Sequence, residues 1–105
     1  MTPKNAEILE KIKHCVKTID PQAEVVLFGS RARGEESPHS DWDILILSSH
    51  SVDLQYEQKF RHKLFDIELE YDQSISTFVY AVGEWNTKHQ VTPLYQNIKQ
   101  EGIPL

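Results

Sequence analysis

The sequence FGSRARGEESPHSDWDILIL, residues Phe28–Leu47, decides how this chain is expected to fold. Its end, Ile44–Leu47, is aliphatic without alternation, which is typical of a strand buried on both faces. Its start closes another apolar run, Glu24–Gly29, whose β-branched and aromatic residues before a glycine also indicate a buried strand. Between the two strands, Ser30–Gly34 predicts a short helix, followed by a polar loop. The stretch therefore predicts two buried strands joined by a helical turn and a loop.

The elements on either side are predicted from helix caps and apolar spacing. Thr2–Thr18 has a threonine at the N-cap position, a proline at the first helical position and an apolar stripe, so it predicts a helix. Thr92–Gly102 begins in the same way and has a glycine past its end, so it predicts the last helix. SISTFVYAV, Ser74–Val82, is β-branched and aromatic and predicts a third strand that ends before Gly83.

The segment Val52–Tyr71 fits two patterns. Tyr56 and Phe60 begin an apolar series at helical spacing, whereas FDIELEYD, Phe65–Asp72, alternates strictly between apolar and acidic residues as a strand does. We favour one long helix and keep the strand as the alternative. The element order is then helix, strand, strand, helix, strand, helix. This order predicts an α/β (α+β) fold, a small mixed β-sheet flanked by helices, in one domain over residues 1–105.

Composition and charge limit the functions that fit the chain. The formal net charge of −5 does not favour contact with a phosphate backbone, so no nucleic-acid partner is expected. A single cysteine, Cys15, allows no intrachain disulfide, as in proteins of a reducing compartment. The charged N-terminus lacks a signal-peptide core, and no apolar run approaches the ~18 residues of a membrane span. We therefore predict a cytoplasmic protein that has no membrane partner.

Two aspartates stand at the start of the second predicted strand. Asp41 and Asp43 are two residues apart, so they point to the same face, while Trp42 points into packing on the other. Two carboxylates on one face repel each other unless a positive charge lies between them. Mg²⁺ prefers hard oxygen ligands and commonly binds one or two carboxylates together with substrate phosphates. The pair is therefore a candidate Mg²⁺ site.

A glycine–serine turn ends the first predicted strand. Gly29 lets the backbone approach a ligand closely, and the Ser30 hydroxyl and the amides that follow can donate to phosphate oxygens. Arg31 and Arg33 place positive charge beside this turn. Phosphate-binding groups beside metal-binding carboxylates on adjacent strands are typical of sites for phosphoryl or nucleotidyl transfer. In such reactions, positioning of the substrate and neutralisation of its charge supply most of the catalysis.

The motif GSRARGEESPHSDWD, Gly29–Asp43, resembles the Gly-Ser, ten residues, Asp-x-Asp pattern of the DNA polymerase β-like nucleotidyltransferase superfamily. The short chain, GSRARG and SDWDILIL are similar to its minimal nucleotidyltransferase (MNT) branch. The resemblance implies that Gly29 and Ser30 hold the triphosphate and that Asp41 and Asp43 bind Mg²⁺. Arg33 is a further candidate for substrate binding because of its positive charge beside the turn. It also implies a HEPN-type protein partner, because many minimal members are antitoxins to HEPN toxins and some transfer AMP onto them.

The chain departs from that family at a third carboxylate, which family enzymes usually carry on the next strand. If that strand is ISTFVYAV, it has no acid; if it is FDIELEYD, it offers Asp66, Glu68 or Glu70. Two hypotheses therefore stand. The first is a Mg²⁺-dependent enzyme that transfers a nucleotidyl group from an NTP, with ATP expected, to a hydroxyl acceptor. The alternative is a non-catalytic, antitoxin-like module that binds an NTP or a partner protein.

Overall fold

The computed structural model describes residues 1–105 as a four-stranded mixed sheet with helices on both faces. This architecture confirms the predicted fold class. None of the helices is both long and apolar enough to cross a membrane. Along the chain the elements are α1 (Pro3–Ile19), β1 (Glu24–Phe28), α2 (Ser30–Arg33), β2 (Trp42–Ser48), α3 (Leu54–Tyr71), β3 (Ile75–Ala81), α4 (Val82–Trp85), α5 (Pro93–Glu101) and β4 (Ile103–Pro104).

The pairing of the strands brings three strand ends to one edge of the sheet. The strand order is β3-β2-β1-β4. β1 runs antiparallel to β2 with Phe28 opposite Asp43, and β3 runs parallel to β2 with Ser76 opposite Asp43. β4 adds to the far side of β1 in antiparallel orientation. The end of β1 and the starts of β2 and β3 therefore lie side by side.

The favoured helix over the ambiguous segment is confirmed, and the strand alternative is wrong. The side chain of Asp53 accepts a hydrogen bond from the Tyr56 amide at 2.7 Å and caps α3. Helical spacing buries the residues that pack on the sheet, whereas the strand pattern would have required Phe65 and Leu69 to be buried. These two side chains are 53% and 66% exposed. The apolar–acidic alternation therefore does not reflect burial.

The two faces of the sheet have separate cores. On one face, α1 and α3 pack against alternate residues of β1 and β2, such as Leu27 and Ile44. On the other face, Leu45 and Leu47 pack with Trp85 of α4 and Ile98 of α5. Burial on both faces explains why the β2 sequence lacks alternation. The core on the first face consists of Ile8, Ile12, Val16, Ala23, Val25, Leu27, Trp42, Ile44, Ile46, Phe60, Leu64, Ile67 and Val79.

Two elements differ from the sequence-based expectation. The third strand ends at Ala81, and Val82, expected to be its last residue, begins the four-residue helix α4. The two-residue strand β4 follows the last helix and was not predicted. α4 and β4 are both too short to show a periodic pattern in the sequence. β4 follows α5 directly after Gly102 and pairs with β1, with Ile103 opposite Leu27.

A buried carboxylate holds the end of the sheet that lies away from Asp43. Asp20 is 1% exposed and accepts hydrogen bonds from the Ser48 hydroxyl at 3.1 Å, the Ser49 amide at 3.0 Å and the Gln22 amide at 3.1 Å. Burial alone would raise the pKa of Asp20, but the bonds from Ser49, Gln22 and Ser48 outweigh it and lower the pKa below its ordinary 3.8. Folding therefore favours the ionised form of the Asp20 carboxyl.

Asp20→Asn is expected to lower the free energy of unfolding by about 1–3 kcal/mol, because its amide cannot accept all of these bonds. A pKa that is lower in the folded state contributes stability above the unfolded-state pKa and loses it as the pH falls through the folded-state value. Urea unfolding from neutral pH down to about pH 3 checks both points. The exposed Asp66→Asn is the control. An Asp20→Asn variant as pH-dependent as the wild type would contradict this assignment.

Candidate active site

The glycine–serine turn lies directly against the second aspartate. Gly29 follows β1 with a left-handed φ of +77°. A Cβ atom at this position would lie 2.1 Å from Oδ2 of Asp43, so the carboxylate occupies space that only glycine leaves open. Ser30 begins α2, immediately after this contact. The structure thus brings together residues that are fourteen positions apart in sequence.

The opposite face of the same strand fixes the aspartate pair. Trp42 is fully buried and its indole N–H donates to Oε1 of Gln73 at 2.7 Å. The Arg31 guanidinium lies over the Trp42 ring, 4.1 Å from its centroid. Because alternate residues of a strand point to opposite faces, this packing directs Asp41 and Asp43 together toward the α5 face. The predicted direction of Trp42 is therefore observed.

The environment of Asp43 disfavours an isolated negative charge. Its half-buried position raises the pKa of this carboxyl, and the nearby charge of Asp41 raises it further. Arg33 acts in the opposite direction, and Glu101 adds to the repulsion. Asp43 therefore has two acidic neighbours, Asp41 and Glu101, and one cationic neighbour, Arg33. A divalent cation with hard oxygen ligands suits this donor set, because it would relieve the repulsion between the two aspartates.

The two arginines that follow the turn have different surroundings. Arg31 is 6% exposed and donates from Nε and Nη2 to the Ser40 carbonyl, at 3.1 and 2.9 Å. It therefore holds the loop that leads to the aspartates and points away from them. Arg33 is half-exposed on the other side of α2 and pairs with Glu35 and Glu101. Of the two, only Arg33 lies close enough to Asp43 to lower its pKa.

A serine lies beside the aspartates on β3. The register places Ser76 opposite Asp43, and its Oγ is 3.4 Å from Oδ2 of Asp41. A carboxylate on β3 that joined Asp41 and Asp43 would have to occupy the position of Ser76. The chain contains no group of three His, Cys, Asp or Glu side chains placed to hold one metal ion.

The three acids named as alternatives for a third carboxylate lie on α3, on the other face of the sheet. Glu68 accepts a hydrogen bond from the Ile75 amide at 3.2 Å, and Glu70 pairs with Lys11 at 2.5 Å. Asp66 is exposed. Helical geometry therefore distributes these acids over structural contacts and solvent, as expected for the favoured helix, and the strand on which one of them could have joined the aspartates does not form.

Two residues of this edge were not found from the sequence. Ser76 could have been found only through the pairing of β3 with β2, because a serine in a strand is not distinctive. Glu101 comes from the last turn of α5, and nothing near it in sequence marks it. Trp85, an aromatic residue that could in principle stack on a base, is 5% exposed and stacks on Tyr80, so it is a core residue. His39 is exposed in the loop.

A mixed sheet that carries a Gly–Ser turn against paired aspartates is the arrangement expected of a nucleotide-transferring protein. The family model described as nucleotidyltransferase domain matches residues 9–104. MJ0141 of Methanocaldococcus jannaschii, named as a candidate protein adenylyltransferase, is 38% identical over 76 residues, which are 70% of this chain and 77% of that protein. The chain therefore belongs to the nucleotidyltransferase domain family, whose members generally use a divalent metal ion.

Solved structures share the fold. A chain in the crystal structure of a toxin–antitoxin with AMP-PNP superposes with a TM-score of 0.67 and 22% identity, covering 90% of this chain and 69% of that chain. A chain of the tri-AMPylated Shewanella oneidensis HEPN toxin in complex with MNT antitoxin gives 0.62 and 17% identity, covering 94% and 69%. The resemblance to minimal nucleotidyltransferases is thereby confirmed at the level of the fold.

Proposed function

We propose that this chain is a Mg²⁺-dependent nucleotidyltransferase that moves a nucleotidyl group from ATP to a protein hydroxyl. The observation that carries the proposal is the close approach of the Gly29 turn to the Asp43 carboxylate, with the charge of Asp41 beside it. A triphosphate on the turn would lie beside both carboxylates. The same contact requires a glycine at position 29 of this chain.

Each residue of the edge has a proposed role. Asp41 and Asp43 would hold Mg²⁺, and this ion, when bound, neutralises charge on the triphosphate and on the leaving pyrophosphate. The amide and hydroxyl of Ser30 donate to phosphate oxygens, and Arg33 adds a guanidinium on the same side. In the reaction, the acceptor oxygen bonds to the α-phosphorus, the bond from that phosphorus to pyrophosphate breaks, and a base removes the acceptor proton.

The serine at position 76 suggests that the transfer activity of this chain is low. A serine hydroxyl is neither a strong metal ligand nor a base at neutral pH, whereas a carboxylate at that position could be both. We therefore expect this chain to bind Mg·ATP but to transfer slowly unless a partner supplies a basic group. The second candidate function, a non-catalytic NTP-binding antitoxin-like module, rests on this same serine.

The proposed partner is a HEPN-type protein. Its support is the likeness of fold to chains of toxin–antitoxin complexes, one with AMP-PNP and one with an AMPylated HEPN toxin. The relative named for protein adenylylation supports a protein as the acceptor and an adenylyl group as the moiety transferred. The setting we propose is the cytoplasm, where ATP and Mg²⁺ are present and the single Cys15 would remain a thiol.

Ser30→Ala is expected to weaken Mg·ATP binding by roughly ten- to a hundred-fold, because it removes a hydrogen bond to a charged phosphate. Titration calorimetry with Mg·ATP and with AMP measures this effect. Wild type should bind Mg·ATP more tightly than AMP, and the variant should lose most of that difference. The exposed Ser51→Ala is the matched control. Equal binding of AMP and Mg·ATP by the wild type would place the phosphate site elsewhere.

A further inference from the structure

Two carboxylates hold the guanidinium of Arg33. Its Nε donates to Oε1 of Glu35 at 3.0 Å, and its Nη1 donates to Oε2 of Glu101 at 2.7 Å. Glu35 is two residues away in sequence, whereas Glu101 is 68 residues away, at the end of α5. A contact across the fold therefore sets the position of a side chain at the proposed triphosphate site.

Glu101 is the more rigidly placed of the two partners. Its side chain is 19% exposed, against 65% for Glu35, which follows α2 in an exposed loop. The next residue, Gly102, packs so closely that an added Cβ would lie 2.5 Å from the Ile98 carbonyl and 2.8 Å from Cγ1 of Val26. The backbone beside Glu101 therefore packs directly against β1, the strand that is followed by the Gly–Ser turn.

The two ion pairs leave donors of Arg33 available. A guanidinium has five N–H groups in a fixed plane, and the bonds to Glu35 and Glu101 use two of them. Once two edges of the plane are held, the direction of the remaining N–H groups is fixed. A side chain that is already oriented loses less conformational entropy when it binds phosphate.

We infer that Glu101 is a positioning residue that orients Arg33 toward the β- and γ-phosphates of the bound nucleotide. This inference rests on the proposed function. The C-terminal helix thus contributes to nucleotide binding through Arg33, without touching the nucleotide. Glu101 also brings a negative charge near Asp43, which by itself would weaken triphosphate binding. The two effects have opposite signs, so the direction of the change in a variant separates them.

The test is calorimetric titration of Mg·ATP and AMP into wild type and variants of the full chain. Glu101→Ala, which removes both bond and charge, is expected to weaken Mg·ATP binding about ten-fold, the lower end of the loss for a hydrogen bond to a charged group. Binding of AMP, which has no β- or γ-phosphate, should change less than two-fold. Glu101→Gln, which keeps an acceptor for Nη1, should lie between wild type and Glu101→Ala. Glu36→Ala removes an exposed negative charge that makes no bond to Arg33, so it is the matched control, and less than a two-fold change is expected there.

The Arg33→Ala background shows whether Glu101 acts through Arg33. In that background, Glu101→Ala should cause no further loss of Mg·ATP affinity. Tighter Mg·ATP binding by Glu101→Ala, unchanged binding, or an equal loss with and without Arg33 would each overturn the inference. The proposed function fails separately, if wild type shows no Mg²⁺-dependent ATP binding. Urea unfolding of each variant identifies one that fails to fold, and Glu101→Gln then decides the question.

Discussion

Asp43→Asn is expected to abolish Mg²⁺-dependent ATP binding while the fold stays intact. The variant loses one of only two carboxylates on this strand face, and an amide is a much weaker ligand for Mg²⁺. Burial and the charge of Asp41 already raise the pKa of the Asp43 carboxyl. A neutral isostere therefore removes an unfavourable charge from the folded protein, and its free energy of unfolding should be equal to or above that of the wild type.

Titration calorimetry with ATP, in the presence and absence of Mg²⁺, measures the first effect, and urea unfolding measures the second. Asp66→Asn is the control, because it removes the same charge from an exposed position on α3. It should bind Mg·ATP as the wild type does. If Asp43→Asn retains wild-type affinity for Mg·ATP, the two aspartates are not the metal site and the proposed function falls with them.

Ser76→Asp is expected to raise the transfer rate by about a hundred-fold or more. The variant places a carboxylate opposite Asp43 and next to Asp41, where it can act as a third metal ligand or as a base; a positioned base typically contributes ~10²–10⁴-fold. Affinity for the divalent ion should also rise. The measurement is release of pyrophosphate from ATP by the chain alone, and transfer of label from ATP to an added HEPN-type protein.

Ser76→Asn is the matched control, since it has the same size without the charge. Substitution of Glu68 or Glu70 on α3 by glutamine should leave transfer unchanged, because these side chains make structural contacts away from the site. If the wild type already transfers as fast as Ser76→Asp, the chain has a complete active site and the role given to a partner group is wrong. If Ser76→Asp changes neither metal affinity nor rate, β3 does not carry the third position.

The parts of the site that are close in sequence were predictable, and those joined only by pairing were not. Gly29 and Asp43 belong to one motif, so residue type and spacing were enough to group them. Ser76 comes beside them through the parallel register of β3, and Glu101 comes from the last helix. A single sequence contains no direct record of such contacts. The two arginines illustrate the same limit, because equal charge and closeness in sequence did not show that Arg31 is buried against the Trp42 ring while Arg33 is not.

The ambiguity of the segment that forms α3 has a different physical cause. The strict alternation of FDIELEYD is a strand pattern only if one set of residues is buried. In α3 the core contacts are made by Phe60, Leu64 and Ile67, while Phe65 and Leu69 remain in solvent. Exposed apolar residues are common on protein surfaces. Apolar spacing over the whole segment was therefore a better guide than perfect alternation over its last eight residues.

β2 is held at both ends, so its length is constrained in evolution and in protein engineering. Trp42 is held by Gln73 and Arg31 at one end, and Ser48 by Asp20 at the other. Exchange of one residue for another within the strand leaves this spacing intact. An insertion or deletion of a single residue would turn every later side chain to the opposite face. Either the aspartate would leave the site or the far end would lose its buried carboxylate, so substitutions are tolerated here far more readily than changes in length.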